Sequence, residues 1–372
     1  MSGSKLANLR TFYSFGDLLI LPNVSSVEPS QADPASIMTK NIRLRVPIVS
    51  SPMDTVTESR MAIEMARLGG IGVIHRNMSL EHEVDGVAKV KSAECDGGTV
   101  DSDGRPAVAA AVGPLNPEAA KALDAAGADA IVIDTAHGHN INVVKAAKAI
   151  RKQVSCDLVV GNIGTPEAVD DYLDASPDAF RVGLGAGSIC TTRIATGVGV
   201  PQASAVHEVY LKAKKHRIPI ISDGGIESGG DMVKALALGA NCVMIGKLLA
   251  GCDESPGRVL ESPLPGLSGK YKLFRGMGSR TILSRLDRYM VSSKGAPEGV
   301  EGLVRATGSA ALVVNELTQQ VKQGMGYVGA RSLDELRKSA RFTLVTQTGL
   351  EEGRPRVPMV VDGEIWRRLG GD

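Results

Sequence analysis

Short runs of apolar, mostly β-branched residues recur along this chain, and each run closes on a glycine or a polar residue. Eight such runs stand out, at residues 46–54, 70–76, 107–113, 130–138, 158–164, 179–185, 218–225 and 242–251. Segments with apolar residues at helical spacing lie between them, most clearly at residues 117–126, 142–153, 166–175, 203–216 and 228–238. Apolar strands that alternate with helices in this way predict an α/β fold of the (β/α)8 TIM-barrel type. A doubly wound open sheet is the alternative, because the repeat alone does not show closure.

Two segments fall outside this repeat. Residues 253–331 follow the last run and are polar and rich in glycine. A long excursion beside an active-site rim is more often a lid than a linker, so we expect a flap and finger-like excursion there. Residues 95–106 predict a short polar connector between the second and third strands. On this interpretation residues 1–372 form a single catalytic domain.

Composition narrows the function classes. The chain has 372 residues, 43% of them hydrophobic, and a net charge of +1 without a sustained run of Lys or Arg. A nucleic-acid binder would show a basic footprint, so a small-molecule ligand is favoured. Residues 1–10 contain no apolar leader, and no apolar stretch approaches the roughly 18 residues of a membrane helix. Five cysteines without a CxxC pair favour a reducing, cytoplasmic setting and argue against a disulfide framework or a structural zinc site.

Polar residues close most of the eight runs. In a (β/α)8 barrel the carboxyl ends of the strands form the active-site rim, so these residues are candidates for the site. Single charges at strand ends are often ordinary caps, but six ends together present Ser, Asp, Asn, Cys, Gly-Gly and Lys. This combination predicts a phosphate-bearing ligand across the rim, with its phosphate at the last two strand ends.

Cys190 is the strongest candidate for a catalytic side chain. It lies in the glycine-rich segment 185–191, directly after an apolar run that ends at Leu184. Glycines let the backbone approach a ligand closely and turn its N–H groups toward an anion. A thiol among such donors tends toward the nucleophilic thiolate. The alternative is a buried structural cysteine, but the glycines and Ser188 around Cys190 favour the nucleophile.

Further motifs accompany the cysteine loop, in this order: Leu21-Pro22 and residues 50–58, 69–72, 134–138, 185–193, 197–202, 223–226, 275–279 and 287–289. Together they span nearly the whole chain and resemble the motifs of inosine-5′-monophosphate (IMP) dehydrogenases. GMP reductases are the sister group, with the same barrel and cysteine loop. The Arg-Gly-Met-Gly-Ser sequence at residues 275–279 and the Arg288-Tyr289 pair are typical of the dehydrogenases.

The resemblance implies NAD-dependent oxidation of IMP to xanthosine 5′-monophosphate, a step of guanine nucleotide biosynthesis. Cys190 would attack C2 of the purine, hydride would pass to NAD⁺, and the covalent thioimidate would then be hydrolysed. Thr192, Arg288, Tyr289 and Glu298 would orient and activate the water after the flap closes. Arginine is permanently protonated near neutral pH, so a proton path from Thr192 to Glu298 is chemically less demanding than an arginine base.

The resemblance also implies three sets of binding residues. The IMP set is Ser51, Met53, Asn162, Ser188, Asp223, Gly224, Gly225, Gly246, Lys247, Gly276, Met277, Gly278 and Glu298. The cofactor set, facing the nicotinamide riboside, is Asp134, Gly183, Leu184 and Gly185. A potassium ion would bind Gly185, Gly187 and Cys190 together with Glu352, Gly353 and Arg354 of a neighbouring subunit. Such a shared site implies a homotetramer.

Several positions depart from the family pattern. A pair of regulatory CBS modules is usual between the second and third strands, where this chain has only residues 95–106. Regulatory adenine or guanine nucleotides are therefore not expected to bind there. Lys247 stands where a phosphate-binding serine is usual, and Phe274 where a tyrosine is usual, so we expect phosphate binding in an altered form. Residues 305–306 and 354–356 also differ, which leaves the cation preference open.

Three alternatives remain at this stage. GMP reductases also lack the CBS pair and resemble this chain at Phe274. A catalytically silent nucleotide-binding regulatory protein is the alternative of another class, although Cys190, Thr192, Arg288 and Tyr289 are all present. A flavin-dependent barrel oxidoreductase is the third, and it would be yellow when purified.

Overall fold

Eight parallel strands close into a barrel in the computed structural model, which describes residues 9–264, 266, 268–283 and 296–357. In chain order they are β1 (Ile48–Ser50), β2 (Ile71–Ile74), β3 (Val108–Val112), β4 (Ala130–Asp134), β5 (Asp157–Ile163), β6 (Ala179–Val182), β7 (Ile220–Asp223) and β8 (Cys242–Ile245). Strand β8 pairs in parallel with β1, with Val243 opposite Ile48. This pairing closes the barrel, so the predicted TIM barrel is confirmed and the open sheet is wrong.

A helical layer covers the outside of the barrel. Its helices are α1 (Ser59–Arg67), α2 (Leu80–Lys91), α3 (Pro117–Ala125), α4 (Ile141–Arg151), α5 (Glu167–Tyr172, extended by the 3-10 turn Leu173–Ala175), α6 (Gln202–Ala213, extended by Lys214–His216), α7 (Gly229–Ala237) and α8 (Ala310–Val328). The five segments predicted as helical coincide with α3 to α7. Serine N-caps begin several helices, since Ser79 accepts the N–H of His82 and Ser228 that of Asp231. In the described part of the chain no helix has the length and apolar character needed to cross a membrane.

Apolar side chains pack in two layers because successive strand residues point to opposite faces. Val49, Val132 and Met244 belong to the layer inside the barrel. Their neighbours Ile48 and Ile131 belong to the layer between strands and helices. All five are buried. This double burial explains why the strands read as continuous apolar runs.

A hairpin covers the amino end of the barrel. Its strands are Ser36–Ile37 and Arg43–Leu44, and Met38 and Ile42 between them join the interior apolar layer. At the start of β5, Asp157 accepts hydrogen bonds from Thr39 and from Asn41. The opposite, carboxyl end of the barrel stays available for a ligand.

The remaining elements lie around the barrel. Strand Leu18–Leu21 pairs antiparallel with Arg341–Leu344. The other short elements are the 3-10 turns Phe15–Asp17 and Pro29–Gln31 and the helices Thr192–Thr196, Lys247–Ala250, Arg280–Leu283, Leu333–Ser339 and Gln347–Glu352.

The segment between β8 and α8 contains a three-stranded antiparallel sheet, in which Lys270–Arg275 lies between Leu260–Glu261 and Glu301–Arg305. Helix α8 itself packs against α7 and buries Ala310, Val314 and Val321. The excursion predicted over residues 253–331 was therefore too long, because residues 310–328 belong to the helical layer. Arg288 and Tyr289 lie outside the described residues.

The connector at residues 95–106 is a compact turn. A β-bridge joins Val100 to Pro106, and the Asp101 carboxylate accepts the backbone N–H groups of residues 103 and 105. Lys91 of α2 donates to Asp101 at 3.0 Å and to Asp129 at 2.6 Å. This buried cation fastens the connector to the barrel wall.

Candidate active site

A cavity of about 840 Å³ lies at the carboxyl ends of the strands. Its wall combines the strand ends with the loop at residues 276–278 of the excursion. Every residue of the predicted IMP set lines it, as do Cys190, Thr192 and Glu298 of the predicted catalytic set. Its volume is in the range of cavities that enclose a nucleotide-sized ligand.

Cys190 lies on the loop that connects β6 to helix Thr192–Thr196. The loop requires glycine at two points. Gly185 has a left-handed backbone with φ of 75°, and a Cβ at Gly183 would come within 2.0 Å of the carbonyl oxygen of Asp223. The Cys190 N–H donates to the carbonyl of Gly187 at 3.0 Å. These constraints place a half-buried thiol at the cavity wall.

Cys190, Thr192 and Glu298 form a hydrogen-bonded chain. The Cys190 Sγ atom lies 3.1 Å from Thr192 Oγ1, and Thr192 Oγ1 donates to Glu298 Oε2 at 2.9 Å. A hydroxyl has one proton to donate, so the thiol is the donor to Thr192 while Thr192 donates to Glu298. The direction of donation therefore runs from the sulfur to the carboxylate.

Two carboxylates of the cavity wall share one guanidinium. Arg181 Nε donates to Asp223 Oδ2 at 2.9 Å, and Arg181 Nη1 donates to Asp134 Oδ1 at 2.7 Å. Asn162 Nδ2 donates to the same Asp223 oxygen at 2.7 Å. Burial acts to lower the pKa of Arg181, but the charges of Asp223 and Asp134 outweigh it and raise that pKa above its usual range.

One residue that lines the cavity also has a polar atom without a hydrogen-bond partner in the described part of the chain. Among the described residues, the Oδ1 atom of buried Asn162 accepts no hydrogen bond. Buried polar atoms normally have a partner. A ligand hydroxyl in the cavity would supply one.

A second ion pair fixes the loop at residues 276–278. Arg275 Nε lies 3.1 Å from both carboxylate oxygens of Asp54, which follows β1. Asn77 donates to the same carboxylate at 2.8 Å. The hydrogen bond to Asp54 raises the pKa of Arg275. The excursion is thereby attached to the barrel next to the cavity.

Comparison with known proteins agrees with this geometry. A profile of the "IMP dehydrogenase / GMP reductase domain" matches residues 12–356. The chain belongs to the IMP dehydrogenase / GMP reductase family. It is 42% identical to an inosine-5′-monophosphate dehydrogenase of Cryptosporidium parvum over 383 residues, covering 93% of this chain and 95% of that protein.

Two archaeal relatives in this family are also named inosine-5′-monophosphate dehydrogenase. The protein of Thermoplasma acidophilum is 36% identical over 470 residues, covering 95% of this chain and 96% of its own length. That of Methanocaldococcus jannaschii is 36% identical over 482 residues, covering 94% and 96%. These alignments span more positions than the 372 of this chain, so both archaeal proteins carry residues that it lacks.

Lys247 and Phe274, which depart from the family pattern, both line the cavity. Lys247 begins the helix after β8, and its Nζ atom lies 3.2 Å from Glu227 Oε1 with 47% of the side chain exposed. Phe274 is buried. The chain therefore presents a partly exposed, ion-paired cation and a buried apolar ring at these two positions.

The predicted cofactor and cation residues are only partly assembled. Asp134, Gly183, Gly185 and Gly187 line the cavity, but Leu184 does not; its carbonyl accepts the N–H of Val200 instead. Residues 352–354 lie at the end of the exposed helix Gln347–Glu352 and are not part of the cavity wall. Among the described residues no cluster of His, Cys, Asp or Glu side chains could hold a metal ion. This finding does not bear on the potassium ligands predicted at Gly185, Gly187 and Cys190, which would bind through their backbone carbonyls.

Sequence reasoning gave no role to several residues that line the cavity or support its wall. Arg181 is a charged residue within an apolar strand, and this was a usable signal, because a buried guanidinium needs carboxylate partners. The Asp54–Arg275 pair joins residues 221 positions apart and carries no local signal. Gln202, which donates to the Asp223 carbonyl at 3.1 Å, closes the motif at residues 197–202, but the sequence analysis assigned it no role at the site.

Proposed function

We propose that this chain catalyses the NAD-dependent oxidation of IMP to xanthosine 5′-monophosphate through a covalent intermediate on Cys190. The observation that carries the proposal is the chain of hydrogen bonds from Cys190 through Thr192 to Glu298 at the cavity wall. The names of the relatives support the same chemistry. The intact nucleophile and its partners speak against a catalytically silent protein.

The nucleophile is the Cys190 sulfur. Its proton moves to Thr192 while the Thr192 proton moves to Glu298, and the sulfur adds to C2 of the purine. The C2 hydrogen leaves with its electron pair, which forms the thioimidate. NAD⁺, when bound, supplies the acceptor for this hydride.

Hydrolysis restores the thiol. Glu298 first releases to solvent the proton that it took up from Cys190. Water then adds to C2, and Thr192 and Glu298 take up its proton along the same hydrogen bonds. The C2–S bond then breaks, the sulfur is reprotonated, and the oxygen remains on C2 of the product. By resemblance Arg288 and Tyr289 assist the water, although both lie outside the described residues.

The proposed substrate residues fall into three groups, according to the part of IMP that each would bind. Asp223 binds the ribose hydroxyls, and Asn162 keeps its carboxylate in place. The strand ends at Gly224-Gly225 and Gly246-Lys247 bind the phosphate, with Lys247 as a point charge in place of a hydroxyl. The loop 276–278 covers the purine together with Ser51, Met53 and Ser188, all of which line the same cavity.

The cofactor and cation assignments rest on the donors present. Asp134 and Gly183 fit a nicotinamide riboside, because a carboxylate and a position without room for a side chain lie together at the wall. The carbonyls of Gly185, Gly187 and Cys190 are of the kind that binds a potassium ion. Residues 352–354 would complete that site only from a neighbouring subunit, which supports a homotetramer.

GMP reductase is the second candidate function. The buried ring of Phe274 at the cavity wall favours it, since the reductase pattern resembles this chain there. One assay separates the two. IMP with NAD⁺ should produce NADH, seen as rising absorbance at about 340 nm, whereas consumption of NADPH with GMP would overturn the proposal in favour of the reductase.

A further inference from the structure

Arg181 occupies an unusual place for a cation. It lies in the barrel strand β6, and its side chain is only 8% exposed. Gly161 on the neighbouring strand β5 makes this possible, because a Cβ there would lie 2.6 Å from the Cβ of Arg181. A side chain at position 161 would therefore collide with the base of the Arg181 side chain.

The carboxylates that Arg181 contacts come from strands that are not neighbours. Asp134 ends β4 and Asp223 ends β7, so β5 and β6 lie between them in the barrel. Both oxygen atoms that accept from Arg181 do so within 3.0 Å, from two nitrogens of one planar group. A planar guanidinium fixes the two carboxylates relative to each other, which a lysine ammonium cannot do.

The arrangement also sets which oxygen of Asp223 is available. Arg181 and Asn162 both donate to Oδ2. Among the described residues no side chain donates to Oδ1, and Asp223 lines the cavity. Without Arg181, the carboxylate would keep one fixed contact and could rotate.

Arg76 contacts the Asp134 carboxylate as well, and so adds a fourth charged group to Asp134, Arg181 and Asp223. Its Nε atom lies 3.5 Å from Asp134 Oδ2, with both side chains largely buried. The four groups alternate in sign as Arg76, Asp134, Arg181 and Asp223. A displacement of Asp134 is therefore transmitted to Asp223 through a single side chain.

The geometry points to Arg181 as a positioning residue that couples the substrate-side carboxylate Asp223 to the cofactor-side carboxylate Asp134, so that the affinity for IMP depends on Asp134. This inference rests on the proposed function, which assigns the two carboxylates to the two ligands. Coupling of this kind is reciprocal in binding free energy. A purely structural role for Arg181 would affect folding but would not link Asp134 to IMP.

The test is calorimetric titration of IMP, without any cofactor, into the full-length wild type, Asp134→Ala and Arg181→Lys. Asp134 is not assigned to IMP, yet its truncation should raise the dissociation constant of IMP by about fivefold or more. Arg181→Lys should do the same, because an ammonium cannot hold both carboxylates. Arg151→Lys is the matched control: Arg151 pairs with Asp178 at 3.0 Å outside the cavity wall and should leave IMP affinity unchanged.

An IMP dissociation constant within about twofold of wild type in folded Asp134→Ala would overturn the coupling, even if Arg181→Lys weakens binding. If Arg181→Lys fails to fold, Asp134→Ala alone decides. A wild type that binds IMP but yields no NADH would contradict the proposed function while the coupling is still measured. A wild-type protein that does not bind IMP would contradict both the coupling and the proposed function.

Discussion

The Thr192 hydroxyl donates to the Glu298 carboxylate at 2.9 Å, although the two residues are 106 positions apart in the chain. The backbone doubles this link, since the N–H of Thr191 donates to the carbonyl of Glu298 at 2.9 Å. One side-chain and one backbone hydrogen bond thus hold the excursion against the loop that carries Cys190. Glu298 lines the cavity of the barrel even though it follows the barrel strands in sequence.

If Cys190, Thr192 and Glu298 form one proton path, Thr192→Val and Glu298→Gln should each slow turnover by about a hundredfold. Removing either member breaks the same path, so the double variant should be little slower than the slower single variant. Steady-state NADH production measures all three.

The matched control for this comparison is Glu261→Gln, an exposed glutamate of the same excursion that pairs with Lys270. It should leave turnover unchanged. Losses that multiply in the double variant would show that Thr192 and Glu298 act independently.

Cys190→Ala should abolish NADH production and leave IMP binding within about tenfold of wild type, because the ribose and phosphate contacts lie elsewhere. Alkylation gives a second readout. Burial raises the pKa of Cys242 above its usual range and that of Cys252 to about 11, so neither should react while Cys190 does. Peptide mass spectrometry after brief iodoacetamide treatment, with and without IMP, checks this. Residual turnover in the alanine variant would refute the assignment.

The barrel could be predicted from sequence because its signal is local and repeated. The strands are mostly apolar on both faces, with exceptions such as Arg181, and helices separate the strands at regular intervals. The turn around Cys190 was predictable for the same reason, since its glycines are adjacent in the chain. Helix α8 was missed although Ala310, Val314 and Val321 recur at helical spacing, because Gly and polar residues around them made the segment resemble the flap.

Pairings across the barrel could not be predicted in this way. Arg181 needs carboxylates, but the sequence offers many, and only closure of the barrel brings Asp134 and Asp223 to the same group. The order of the strands in the barrel, and not the composition of any strand, decides which carboxylates Arg181 contacts. The Asp54–Arg275 pair depends likewise on how the excursion returns to β1.

Arg275→Ala tests that attachment. It leaves the nearly buried Asp54 carboxylate without its cation, so we expect a loss of about 2 kcal/mol in the free energy of unfolding. The loop at residues 276–278 would also lose its anchor, and the KM for IMP should rise about tenfold with a smaller change for NAD⁺. Urea unfolding and initial-rate kinetics measure the two effects. Arg305→Ala is the control, because Arg305 lies on the adjacent strand with its guanidinium over the Tyr271 ring. An unchanged KM for IMP in Arg275→Ala would show that the loop holds its position without the Asp54–Arg275 pair.

The connector makes stability depend on pH through Asp101. Burial raises the pKa of Asp101, but hydrogen bonds from Lys91 and from the backbone of Arg105 and Asp103 outweigh it and lower the pKa from 3.8 to about 2. A carboxylate with a lowered folded-state pKa stabilises the fold above its unfolded-state pKa, and this stabilisation is lost as pH falls through the folded-state value. Asp129, which shares Lys91, behaves oppositely because burial raises its pKa. A comparison of Asp101→Asn with wild type isolates the Asp101 contribution, since the amide oxygen can still accept the backbone N–H groups.

We expect Asp101→Asn to be less stable than wild type by on the order of 1 kcal/mol near neutral pH, after allowance for solvent screening. The difference should hold down to about pH 5 and shrink progressively between about pH 4 and pH 2, where the wild-type carboxylate becomes protonated. Urea unfolding of both proteins across this range measures it. Asp103→Asn is the matched control, because Asp103 pairs with Arg105 in the same turn but is 64% exposed, and it should show little difference from wild type at any pH. A difference for Asp101→Asn that stays constant down to the lowest pH would show that its carboxylate charge does not fasten the connector to Lys91.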